Sequence, residues 1–240
     1  MRNDRFAVAL RRVLGLPILP PSFTQFQCIC GSPVTDHHLV TCSRNYFVSH
    51  RHNRLRDLFI TMLHFAKVSA IPEPRTNDGQ TRYDIVAHYP AKDETVLYDV
   101  SVTSVYCVNY LQSANAPLNG QAITDKISEK HNKYGHLVQF YNSSTSTTTF
   151  TPLVFDNFGH ASHSVGSLIQ RAAKFNPERP PHVAFTASSF SNYWRQVLSL
   201  ALHDGTVALF LDTLKKLNHD VNYNAAGDFL QALLAPINSE

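Results

Sequence analysis

Apolar side chains between residues 6 and 15 (Phe6, Val8, Leu10, Val13 and Leu14) are interleaved with arginines at a spacing that predicts a short amphipathic helix. The three prolines between Leu16 and Pro21 stop it. From His50 to Val68 the positions Leu55, Leu58, Phe59, Met62, Leu63 and Ala66 recur with the helical period and predict a long helix. The pattern then becomes extended. Ser69 to Glu73, Tyr83 to Tyr89 and Thr95 to Ser104 read as strands, with turns at Asn77-Asp78-Gly79 and Pro90 to Glu94, and three in succession predict a meander. A helix is expected from Asn119 to Tyr134, its polar face carrying Lys126, Glu129, Lys130 and Lys133. Val138 to Tyr141 and Thr151 to Phe155 read as further strands around a Ser/Thr run, Asn142 to Thr149, that is β-compatible or a loose hairpin tip. Helices are expected again over Ser162 to Phe175, Phe190 to His203 and Val207 to Leu217. This order predicts an α/β (α+β) fold with a mixed central sheet flanked by helices.

Composition narrows the class. With 240 residues, 43% of them hydrophobic and 16% charged, the chain has apolar surface for one globular domain and a small appendage, which excludes disorder for most of its length. No stretch approaches the ~18 uninterrupted apolar residues of a membrane span. The N-terminus has four arginines among its first twelve residues and no apolar secretory core. No membrane partner and an intracellular location, nuclear or cytoplasmic, are therefore expected. A net charge of +3 leaves any nucleic-acid reading to rest on local residues.

Three of the four cysteines, Cys28, Cys30 and Cys42, fall within fifteen residues, while Cys107 stands alone and reads as a buried thiol. With His37 or His38 they supply three thiolates and one imidazole, the number and softness of a closed tetrahedral Zn2+ site. A helical turn would put His38 and Cys42 on one side, and His37 competes for the same place. The surrounding prolines and glycine offer little apolar packing to hold such a loop without an ion.

Asp84 opens one expected strand and Asp99 lies fifteen residues later in the next. If a hairpin joins the strands, their ~4.8 Å spacing brings both carboxylates to one ion. Asp99 among β-formers is costly to bury without a cation or donor. Glu73 is a third acidic candidate. Oxygen ligands favour Mg2+ or Mn2+, the usual agents of phosphodiester hydrolysis. Strand-end aspartates that cap turns or pair with arginines are the alternative.

The order Cys-x-Cys…His-x-x-x-Cys, Arg51-His52-Asn53, Glu73-Pro74, Arg82-Tyr83-Asp84-Ile85, Asp99-Val100-Ser101-Val102-Thr103 and Lys130-x-x-Lys133-Tyr134 resembles the restriction-like endonuclease region of site-specific non-LTR retrotransposons, from about residue 8 to 210. The tail, with Tyr193-Trp194-Arg195 in a helix, is similar to the ends of such reverse-transcriptase polyproteins.

The resemblance implies a PD-(D/E)XK nuclease fold over residues 50–240, after an N-terminal helix and CCHC zinc knuckle over 1–49. It implies Asp84 and Asp99 as acidic ligands, although Tyr83 replaces the usual proline and Ser101 stands where the standard lysine belongs. In the retrotransposon branch that lysine moves to the following helix, which makes Lys130 the catalytic candidate with Lys126 and Lys133 in reserve. Arg51, His52 and Arg54 at a helix start are expected to approach the DNA backbone, and Arg82 and Lys133 join them as nucleic-acid contacts. The implied activity is metal-dependent nicking of a double-stranded DNA target for target-primed retrotransposition, with element RNA and a reverse-transcriptase region as partners. A catalytically inactive, domesticated nucleic-acid-binding module of the same fold is the alternative. No reverse-transcriptase signature, P-loop or GxSxG elbow is present, so the chain is not expected to copy RNA by itself.

Overall fold

The computed structural model describes all of the chain except residues 1–2, 15, 17, 20–25, 29, 43, 45–46, 74–82, 106–119, 141–146, 176–185 and 221–240. Its elements are helices α1 (Asn3–Val13), α2 (Asp36–Thr41) and α3 (Phe47–Phe65), strands β1 (Ser69–Pro72), β2 (Ile85–Tyr89) and β3 (Glu94–Thr103), helix α4 (Gln121–Tyr134), strand β4 (Thr147–Asp156), and helices α5 (His163–Phe175) and α6 (Ala187–Asp220). Short 3-10 turns cover Pro90–Lys92 and Gly135–Phe140. The chain forms two compact units, one of residues 1–51 with 201–240 and the other of residues 52–200.

In the larger unit the sheet order is β1-β2-β3-β4, antiparallel through β3 and parallel between β3 and β4. This is the mixed α/β architecture expected, and the meander is present. A parallel β3–β4 pair requires a crossover, and α4 provides it. The alternation of β3 decides what each face receives. Leu97 packs with Tyr83, Tyr134 and Phe150 on the α4 face. On the other face Phe155 meets Phe59 of α3, with ring centroids 6.1 Å apart. There too, Tyr89 and Tyr98 share a buried 2.9 Å hydroxyl contact. Arg171 of α5 lies 3.4 Å over the Tyr89 ring and forks onto Glu94 at 3.1 and 2.6 Å. Trp194, expected as a packed helix residue, is buried against Phe190 and Phe65.

The smaller unit buries Val8, Ile18, Leu19, Val34, Leu39, Val40, Val207 and Phe210 around Cys28 and Cys42. Val207 and Phe210 thus pack with the segment around the cysteines, and this unit is discontinuous in the sequence.

Three local expectations are corrected. Val138 lies in a 3-10 turn rather than a strand and packs on the Tyr83–Tyr134 cluster, because so short an apolar run does not distinguish the two. The hairpin-tip reading of the Ser/Thr run gives way to the β one at Thr147–Thr149, which belong to β4 and pair with Glu94–Val96. The two helices expected on either side of Asp204-Gly205-Thr206 are one, α6. Asp204 pairs with Arg5 at 2.7 Å, Thr206 Oγ1 donates to Leu202 O at 2.7 Å, and Gly205 sits under Arg51: the apparent breaker admits a side chain. Cys107 lies outside the described residues. No helix among the described residues is long and apolar enough to cross a membrane.

Candidate functional site

The cysteine cluster is built by a tight turn and a capped helix. Gly31 adopts φ +84, a backbone conformation that suits glycine, and the turn closes through Gly31 N–H to Cys28 O at 2.7 Å and Cys28 N–H to Ser32 O at 2.9 Å. Thr35 caps α2 by accepting from His38 N–H at 3.1 Å. Asp36 accepts from the backbone N–H groups of Ile18 and Leu19, both at 3.0 Å, and ties the proline-rich segment to the helix. One ligand atom from each of Cys28, Cys30, His38 and Cys42 lies within 4.8 Å of all the others. Cys28 Sγ and Cys42 Sγ are 3.8 Å apart, and Cys30 Sγ is 3.2 Å from His38 Nε2. A Cys3His set of this size could hold a metal ion such as zinc. His37 is not part of it. Hydrogen bonds from Ser32, foremost its backbone, draw the Cys30 thiol down to about 7, and burial pushes Cys42 up to about 11.

The carboxylates are neighbours on the sheet. Extended by one residue, the β1–β2 register places Glu73 opposite Asp84, and Glu73 N–H donates to Asp84 O at 3.0 Å. On the β3 side Asp84 N–H donates to Tyr98 O at 3.1 Å, the residue that Ile85 already faces, so the ladder becomes irregular at Asp84, one residue short of Asp99. Asp84 Oδ2 accepts from Val100 N–H at 2.6 Å, and its Oδ1 lies 3.1 Å from His52 Nε2. Asp99 is 4% exposed, accepts from Ser101 Oγ at 2.9 Å, and meets Lys130 Nζ at 3.0 Å and 2.9 Å through its two oxygens.

Burial raises the Asp99 pKa, with Lys130 opposing the shift and the nearby Asp84 charge adding to it. For His52 burial pulls downward, but the Asp84 hydrogen bond and the charges of Asp84 and Asp99 prevail and the imidazole is raised. Two carboxylates, an ammonium and an imidazole therefore share one partly buried place, a combination suited to handling protons.

The other candidates fall differently. Glu73 turns toward α3 and pairs with Arg56, which also holds Asp57 at 2.8 Å; Arg56 was not singled out from the sequence, and its i+4 offset from His52 on one helix face was the available signal. Lys126 pairs with Glu129 at 2.7 Å, not with Asp99. Lys133 lies over the Tyr134 ring at 4.9 Å. Hydrogen bonding to that residue is the leading cause of its raised pKa. Arg54 is exposed on α3.

Arg51 is a correction to the expected phosphate contacts: it is only 5% exposed, donates to Thr206 Oγ1 at 3.1 Å, and is drawn down to about 10 by burial and then by Arg12. His52, also expected to face DNA, faces Asp84 instead. Arg82 lies outside the described residues. No protein-family model matches the chain, and none of the curated proteins matches it.

Proposed function

We propose that residues 52–200 form a metal-dependent endodeoxyribonuclease of the PD-(D/E)XK type that nicks double-stranded DNA. The observation that carries this reading is the placement of Lys130 on Asp99, with the Asp84 carboxylate beside it on the Val100 N–H. Ser101 occupies the place where the standard fold has its lysine, and Lys130 delivers an ammonium there from α4 instead.

Asp84 and Asp99 would hold Mg2+ or Mn2+. Asp84 Oδ1, Asp84 Oδ2 and Asp99 Oδ1 each accept one hydrogen bond from the described residues, which leaves lone pairs for a hard ion, and a cation would offset the cost of burying charged Asp99. Such an ion polarises a phosphoryl oxygen and acidifies a water when bound.

The chain's own groups supply the rest. Lys130, anchored by Asp99, orients an attacking water and offsets negative charge developing on the phosphate. Asp84, held by His52 and Val100 N–H, keeps its carboxylate in place, while Glu73, engaged by Arg56, supports the strand end. The product is a nick with a 3′ hydroxyl, which in a retrotransposon would prime reverse transcription. The Cys3His cluster, loaded with Zn2+, positions backbone for gripping the duplex. Element RNA, a reverse-transcriptase region and a nuclear site of action follow from the family resemblance.

Nicking of supercoiled plasmid by the full chain with Mg2+ or Mn2+ tests the reading. Open-circle product abolished by EDTA, by Asp84→Ala and by Asp99→Ala is expected. Intact DNA binding with no cleavage under any metal would overturn it in favour of the inactive binding module.

A further inference from the structure

Helices α5 and α6 are separated by a groove in two contiguous parts of about 370 Å3 and about 260 Å3 that share Gln170 and Arg195. Its floor is apolar, with Val165, Ile169 and Ala173 of α5, as is usual between neighbouring helices, and polar residues line it on both sides. On α5, His163, Ser167, Gln170 and Lys174 succeed one another at helical spacing, a polar stripe about 16 Å long. On α6, Ser188, Ser191, Asn192 and Arg195 form a second stripe. Arg195 Nη2 lies over α5 at Gly166, where a Cβ would stand 3.7 Å from it.

The groove's cations differ from the ion-paired cations of the unit. Arg56, Lys126, Lys130 and Arg171 each meet a carboxylate. Among the described residues, Lys174 and Arg195 meet none and no acidic side chain lines the groove. Among the described residues the lining has no Phe, Tyr or Trp and one imidazole, His163, so it is not a row of stacking platforms. Cations, hydroxyls and amides without carboxylates match phosphate oxygens and sugar hydroxyls, which carry no sequence information. At about 3.4 Å of axis per phosphate on one strand, the stripe is long enough for several phosphates.

We propose that the α5–α6 groove binds the phosphodiester backbone of a nucleic-acid strand, at a site that shares no residue with the carboxylate cluster. The proposal deepens the nuclease reading by giving the substrate a second, sequence-independent hold, and it is tested without cleavage.

Binding of the full chain to a fluorescent 25-base-pair DNA duplex, and separately to its single strand, is measured in EDTA across a salt series. For Lys174→Ala/Arg195→Ala, about tenfold weaker binding and a log–log salt slope shallower by about 2 are expected. The control Lys67→Ala/Lys92→Ala removes the same charge elsewhere and should weaken binding less than threefold. Asn192→Trp, which obstructs the groove without altering charge, should weaken it too. The better-retained probe says whether the strand is held paired or single. Equal losses in groove and control variants, or no DNA binding by the wild type, would overturn the proposal; cleavage that fails while the groove variants still lose binding would overturn only the nuclease reading.

Discussion

Lys130 Nζ stands 3.0 and 2.9 Å from the two oxygens of Asp99, although thirty-one residues separate them in the chain. The contact joins the crossover helix to the one buried carboxylate of β3, and Asp99 is deep enough that its charge needs a partner. Lys126, one turn earlier on α4, is held by Glu129 instead.

Lys130→Ala should therefore reduce the nicking rate by on the order of 100-fold, the scale for removing one preorganised electrostatic group. Lys126→Ala should stay within threefold of wild type. Single-turnover cleavage of a labelled plasmid checks both, and equal losses would count against the assignment of Lys130.

The Cys3His cluster makes a compositional prediction. Metal analysis of protein purified without chelator should find about one zinc per chain, and His38→Ala should weaken Zn2+ binding by more than the ~100-fold upper range for losing an outer partner. His37→Ala should leave it nearly unchanged. Because Cys42 is pushed up to about 11, it gives up a proton when it becomes a ligand, so Zn2+ affinity should rise with pH between pH 6 and 8, with proton release measurable in weakly buffered solution.

His52 predicts a pH dependence of stability. Its pKa is raised on folding, so the stabilisation from its pairing with Asp84 is fully present below the ordinary histidine value of 6.5 and is lost as pH rises through the folded value. In EDTA, His52→Gln should lower the thermal midpoint more at pH 5.5 than at pH 8.5, and a constant difference would remove the charge explanation.

Gly205 tests the packing of the smaller unit. A Cβ there would stand 2.8 Å from Arg51 Cγ and 3.1 Å from Arg51 Cβ, atoms of the side-chain stem rather than its flexible end. Gly205→Ala should lose up to about 2 kcal/mol in urea unfolding, since overpacking of about 1–3 kcal/mol outweighs the usual helical gain of about 1 kcal/mol. Gly166→Ala, with 3.7 Å available, should show the ordinary gain.

What the sequence determined by itself was whatever near neighbours in the chain decide. Helical and alternating periods marked α3, the meander and α4, and once β1, β2 and β3 are antiparallel the spacing from Glu73 to Asp84 to Asp99 brings the three to neighbouring places on the sheet. The cysteine spacing likewise brought its ligands into one short loop. Tertiary packing alone decided which of two adjacent histidines turns toward the thiols, which of several lysines reaches Asp99, that Arg56 takes Glu73, and that Arg51 is buried under Gly205 while His52 turns to Asp84. Each of these depends on where a helix lies over a sheet or loop and how far a side chain must reach. Periodicity specifies which face of an element is apolar, but not the displacement of a few ångströms that selects one polar residue on that face over its neighbour a turn away.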